Sequence, residues 1–144
     1  MEIIFNKESK EFHLFNNNIS YIIKLIRTKQ PTQLYFGKKI KHRDDFSHMF
    51  QRWTERVGGL SANPFGDDET LSLDVVMQEY PSYGTTDFRQ PAFQILQEDG
   101  SRITNFKYKS HKMFDGKNKL ESLPATYVEN NAEAKTLEIV LEDE

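Results

Sequence analysis

Ile19-Ser20-Tyr21-Ile22-Ile23-Lys24-Leu25-Ile26 is the stretch on which the fold turns. Ile19, Tyr21, Ile23 and Leu25 share one parity, with Ser20 and Lys24 on the other. A two-residue apolar repeat places one face of a strand on a core and the other toward water. Ile22 and Ile26 break the polar parity, which implies that this strand is partly covered on both faces. Far along the chain the pattern returns: Leu137, Ile139 and Leu141 alternate with Thr136, Glu138 and Glu142, and Val140 breaks the parity there.

Turn residues separate the strand-like runs. Met1-Glu2-Ile3-Ile4-Phe5 opens as a strand, and Asn6 to Lys10 reads as the loop of a hairpin to Phe12 and Leu14. Asn16-Asn17-Asn18 is a second turn, because asparagine tolerates left-handed backbone and bonds its own main chain. Asp99-Gly100 joins Phe93 and Ile95 to Ile103 in the manner of a hairpin, and Asp115-Gly116 closes the run from Phe106 to Phe114. The alternation slips between Ile103 and Phe106, so a β-bulge is expected near Thr104-Asn105. No stretch makes a convincing amphipathic helix; Asp74 to Glu79 allows one short turn. Short strands with turns between them predict an all-β, antiparallel β-sandwich.

The 144 residues suit one domain, 1–144, long enough to bury a core. Between about 45 and 70 the pattern gives way to a long loop punctuated by Gly58-Gly59, Asn63-Pro64 and Gly66 and carrying the single tryptophan, Trp53. A loop of that length in a compact domain is usually functional or disordered, and its aromatic content favours function. Cysteine is absent, which excludes disulfides and thiolate metal sites. The net charge of -3 is mild and both signs are interspersed. Lys38, Lys39, Lys41, His42 and Arg43 are followed at once by Asp44 and Asp45, so they read as a solvated loop and not as a nucleic-acid surface. No apolar run is long enough for a membrane helix, and the first residues lack the features of a signal peptide. A cytoplasmic protein, with no membrane and no nucleic-acid partner, is the expectation.

Few residues carry recognisable chemistry. His42, Asp44, Asp45 and His48 offer imidazole and carboxylate to a metal, but Arg43 stands among them and no third histidine is near; a polar strand end is the better reading. Asp67-Asp68-Glu69 are consecutive loop acids and point in different directions, whereas a retaining glycosidase needs two carboxyls facing each other about 5–5.5 Å apart. No metal site is expected from these residues, and there is no phosphate-cradling glycine loop. The densest signal is Gln78-Glu79-Tyr80-Pro81-Ser82-Tyr83-Gly84-Thr85-Thr86-Asp87-Phe88-Arg89-Gln90-Pro91-Ala92-Phe93. Tyr80, Tyr83 and Phe88 would stack on a sugar while Asp87 and Arg89 bond its hydroxyls. Alternatively the aromatics plug a sandwich end and Asp87 pairs with Arg89 to shape the turn, which is the reading the chemistry alone favours.

That same segment resembles a signature of the family-36 glycoside hydrolases, the bacterial α-galactosidases. The likeness continues through Phe36-Gly37-Lys38, Leu71-Ser72-Leu73-Asp74, Asp99-Gly100-Ser101-Arg102, Tyr108-Lys109-Ser110-His111-Lys112 and Leu123-Pro124-Ala125-Thr126-Tyr127-Val128-Glu129, in order along the whole chain. The resemblance implies an N-terminal β-supersandwich of which this chain covers about half, followed by a catalytic (β/α)8 barrel and a small C-terminal β domain. Both catalytic aspartates of such enzymes lie in the barrel, so no catalytic residue is carried over and the chain alone is expected to be inactive. It also implies substrates of the melibiose and raffinose type and a homo-oligomer in which a loop of this domain reaches a neighbouring active site. Trp53, Glu55, Arg56 and Phe65 are the contact residues that loop suggests, and Glu79, Tyr80, Tyr83, Asp87 and Arg89 form the structural signature.

Three roles follow: a portion of an α-galactosidase that serves folding, oligomerisation and loop donation, with the remainder of the chain as its partner; a stand-alone carbohydrate-binding sandwich; or a truncated remnant without activity.

Overall fold

The computed structural model describes residues 1–51, 72–85 and 87–143. Four strands form an antiparallel meander in the order β1 (Glu2–Asn6), β2 (Glu11–Phe15), β3 (Ile19–Leu25) and β4 (Pro31–Lys38). A second sheet is a two-stranded ribbon of β5 (Phe106–Asp115) and β6 (Lys135–Asp143). The chain is all-β, as the period-two runs predict; three single 3-10 turns are its only helical pieces among the described residues. None of them is long and apolar enough to cross a membrane.

The meander's connections are built by side chains that bond the main chain. The Asn6 side-chain oxygen accepts from the Glu8 and Ser9 amides at 2.8 and 3.2 Å, and Lys10 takes the left-handed conformation that ends the turn. The Asn16 side-chain oxygen accepts from Asn18 and Ile19 at 2.7 and 2.8 Å. Both turns fall where asparagine signalled them, because its short amide mimics a backbone carbonyl.

Register then sorts the faces. Phe5 opposes Phe12, Phe12 opposes Ile23, and Leu14 opposes Tyr21, so these side chains share the inner face. Against them lie Tyr108, Leu137 and Ile139 of the ribbon, and together they make the main core around Phe12, Ile23 and Leu25. Phe5 stacks on Phe12 with ring centroids 4.4 Å apart, and His111 meets both rings edge-on. The parity-breaking Ile22 is fully buried on the opposite face, beneath residues 39–50 and the buried Phe46. A smaller cluster of Ile26, Leu73 and Val76, with Phe50 against it, seals one end.

Three local expectations change. The ladder shift in the ribbon lies between Tyr108 and Ser110, not near Thr104-Asn105, because residues before Phe106 belong to no ladder. The extra residue, Lys109, brings Tyr108 and His111 onto one inner face although they are three apart. Asp99-Gly100 does form a tight turn, closed by the Gln97 amide on the Ser101 carbonyl at 2.9 Å, but its flanks are not strands. The short turn foreseen at Asp74 to Glu79 is a 3-10 turn at Leu73–Val75.

Candidate functional site

The inner faces of the two sheets diverge toward one side and leave a cleft of about 570 Å³. Leu14, Tyr21 and Ile23 floor it from the four-stranded sheet, and Leu137, Ile139 and Leu141 roof it from β6. Tyr80 and Phe106 close its flank, with Tyr80 stacked on Phe93 at 4.8 Å and Phe93 edge-on to Phe106 at 4.9 Å. The lining is overwhelmingly apolar because the alternation of β2, β3 and β6 sends every second side chain into it.

One polar pair stands at its rim. The Tyr21 hydroxyl donates to the Glu79 carboxylate in a short hydrogen bond. Burial pushes the Glu79 carboxyl above the usual carboxylate range, partly offset by that hydrogen bond. Burial, then the hydrogen bond and charge of Glu79, push the Tyr21 phenol up as well. Glu79 is the one carboxyl among the described residues lining the cleft, so no pair of opposed acids is assembled there. Among the described residues no group of three or more His, Cys, Asp or Glu side chains is placed to hold a metal.

The Gln78–Phe93 segment borders this cleft. It is tied to the edge of β4 by the Gln33 amide on the Met77 carbonyl at 2.8 Å and the Glu79 amide on the Pro31 carbonyl at 2.9 Å. Asp87 is 1% exposed and holds Arg89 by both oxygens: Nε to Oδ1 at 2.9 Å and Nη2 to Oδ2 at 2.7 Å. The Arg89 amide at 3.1 Å and the Gln78 side chain at 2.8 Å also donate to Asp87. Arg89 Nη2 also donates to the Leu73 and Val76 carbonyls, each at 3.0 Å, which closes the open end of the 3-10 turn. Burial alone would raise the Asp87 carboxyl, but the hydrogen bonds and charge of Arg89, with Gln78, outweigh it and hold the carboxyl low. This pair therefore fastens the segment to the Leu73–Val76 cluster.

Tyr83 and Phe88 pack edge-on at 5.6 Å and remain half-exposed. Between them Gly84 sits at φ 95°, and a Cβ there would stand 2.7 Å from Ile103 Cγ2. Trp53, Glu55, Arg56 and Phe65, the contact residues suggested for the long loop, lie outside the described residues. Sequence reasoning missed the Tyr21–Glu79 pair, since two residues 58 apart in the chain give no local signal. It also passed over His13, which looks like an ordinary polar alternation yet is buried on the outer face.

Comparison with known proteins completes the description. Residues 29–144 match the model of the glycosyl hydrolase family 36 N-terminal domain. The alpha-galactosidase AgaA of Geobacillus stearothermophilus is 43% identical over 99% of this chain, which spans 19% of that protein's length. The crystal structure of the alpha-galactosidase AgaB from the same organism superposes with a TM-score of 0.81 at 43% identity, over 99% of this chain and 19% of that one. The alpha-galactosidase from Lactobacillus brevis superposes with a TM-score of 0.85 at 30% identity, over 98% of this chain and 19% of that one.

Proposed function

The chain belongs to the glycosyl hydrolase family 36 N-terminal domain family, and on that premise we propose that it is the first part of an α-galactosidase acting on terminal α-galactosides of the melibiose and raffinose type. Its own part is to found the β-sandwich, to dock the remainder of the enzyme, and to present a loop to a neighbouring active site in a homo-oligomer. The observation that carries this reading is the similarity of the whole chain to a fifth of much longer α-galactosidases, joined to an apolar cleft with no opposed acids. The enzyme would act in the cytoplasm, without metal or organic cofactor, and its catalytic acids would come from the remainder of the chain.

The direct test is hydrolysis of a nitrophenyl α-galactoside. The full-length protein should release nitrophenol steadily and the purified 144-residue chain should release none; turnover by the short chain sinks the assignment. Titration of the short chain with galactose and raffinose separates the alternative of a stand-alone sugar-binding sandwich, which requires saturable binding.

In the loop, Trp53 would stack on the distal sugar of a longer galactoside, Glu55 and Arg56 would bond its hydroxyls, and Phe65 would pack against the neighbouring subunit. Trp53→Ala in the full-length enzyme should raise KM for raffinose more than for a nitrophenyl galactoside. An equal rise for both substrates removes the sugar contact and leaves subunit packing.

A further inference from the structure

We propose that His13 and His42 form a pH-sensitive clasp that holds residues 39–50 on the outer face of the four-stranded sheet. His13 stands in the middle of β2, 2% exposed. Its Nε2 lies 3.0 Å from Ser20 Oγ, and Ser20 Oγ accepts the Ile40 amide at 3.0 Å. Its Nδ1 lies 3.0 Å from His42 Nδ1, with the two rings 22° from parallel. Phe46 meets the His13 ring edge-on at 5.2 Å and, fully buried, roofs the pair. One buried imidazole thus joins β2 to β3 on one side and to the covering segment on the other.

The bond between the two Nδ1 atoms contains a single hydrogen. Either His13 donates through Nδ1 while Ser20 donates to its Nε2, or His42 donates and His13 turns its own hydrogen toward Ser20. The two arrangements hold the same number of protons. A first proton added to the pair goes to an outer Nε2 and leaves the hydrogen between the Nδ1 atoms in place, but it puts a positive charge on or beside the buried His13 ring. A second proton puts hydrogens on both Nδ1 atoms, and two like charges then face each other at 3.0 Å.

The surroundings work in the same direction. Burial, His42 and the ammonium of Lys39 all hold the His13 imidazole below its usual range. Lys39 itself sits over the Phe15 ring, 5.3 Å from its centre. Glu11 is the acid of β2 on this face, but its carboxylate is already engaged by Lys24 of β3 at 2.8 Å, the Phe46 amide at 2.8 Å and the Ser47 hydroxyl at 3.3 Å. In the covering segment Asp45 bonds the Ser47 amide, the Asp44 carbonyl receives Asn6, and Lys41 and Arg43 flank His42 with positive charge. His48 lies beyond Phe46, their rings 6.5 Å apart. Among the described residues named here, no acid is left without a partner to neutralise a doubly protonated pair.

A group whose folded pKa is depressed contributes stability above its unfolded pKa and loses it as pH falls, so the clasp is closed above about pH 6.5 and weakens below it. The test is hydrogen–deuterium exchange on the full-length protein at pH 7.5, 6.5 and 5.5, corrected for the intrinsic pH dependence of amide exchange. Amides between Ile40 and Phe50 should open up to tenfold more for each unit below about pH 6.5, while those of β5 and β6 hold steady. His42→Phe should exchange faster at every pH with no step, and His111→Asn should keep the step. A flat wild-type profile, a step that survives in His42→Phe, or one lost in His111→Asn overturns the proposal. So does protection of the same amides by zinc chloride at pH 7.5, which would make the two rings metal ligands.

Discussion

Among the described residues, both faces of the four-stranded sheet are covered but only one face of the β5–β6 ribbon. Beneath the ribbon lie Phe5, Phe12 and Ile23, and above the meander lies the segment carrying Phe46. The ribbon's far side carries Ser110, Lys112, Glu138 and a half-exposed Val140, with Lys109 paired to Glu142 and Lys112 to Glu138 at 3.5 Å. The difference teaches which burial the described residues supply for themselves and which they leave to something else packed against them. The meander is finished locally, by a segment adjacent in sequence. The cleft between the sheets is not.

Substitutions can break or sharpen this contrast. Phe12→Ala, in the centre of the finished core, should cost about 3–5 kcal/mol of unfolding free energy in denaturant titrations of the full-length protein. Leu141→Lys, which puts a charge into the cleft, should cost about 2–3 kcal/mol there, since a docked apolar surface leaves the ammonium without water or partner. If Leu141→Lys proves as mild as a change on the ribbon's outer face, the cleft faces solvent and the contrast collapses.

Arg89→Met should cost about 2 kcal/mol. That lies below the value for a fully enclosed ion pair because the Arg89 side chain is 48% exposed and solvent screens part of the interaction. The Asp87 carboxyl is held low in the fold, so its contribution is present above the ordinary value of about 3.9 and disappears as pH falls through the folded value. Acid titration should therefore loosen the Leu73–Arg89 region below about pH 4, and the Arg89→Met protein should show a smaller acid transition. At the other end of the scale, Val140→Thr should change stability by no more than about 0.5 kcal/mol.

Alternation was readable wherever a strand has one wet and one dry face. Ile19–Leu25 and Leu137–Leu141 declare themselves in this way, and Ile22 correctly announced a second cover. Val140 did not, because among the described residues its side chain stays partly exposed on the ribbon's far face. Phe93 and Ile103 mimic strands but are used by aromatic stacking and by a close approach to Gly84, which need no ladder, and Ile95 is left exposed. The pairing of Asp87 with Arg89 was legible because the two residues are two apart. Tyr21 with Glu79, and His13 with His42, were not, since only the folded register brings distant positions together.

The ribbon has a further consequence. With two strands it has no interior strand, so β5 and β6 each have an edge with no neighbouring strand among the described residues, although the Tyr108 amide of β5 donates to the Lys29 carbonyl at 2.9 Å. Such a border recruits whatever extended backbone arrives first. At high dilution that would be the polypeptide's own continuation; in a concentrated preparation of the short chain it would be a sister molecule, and precipitation would compete with completion of the layer.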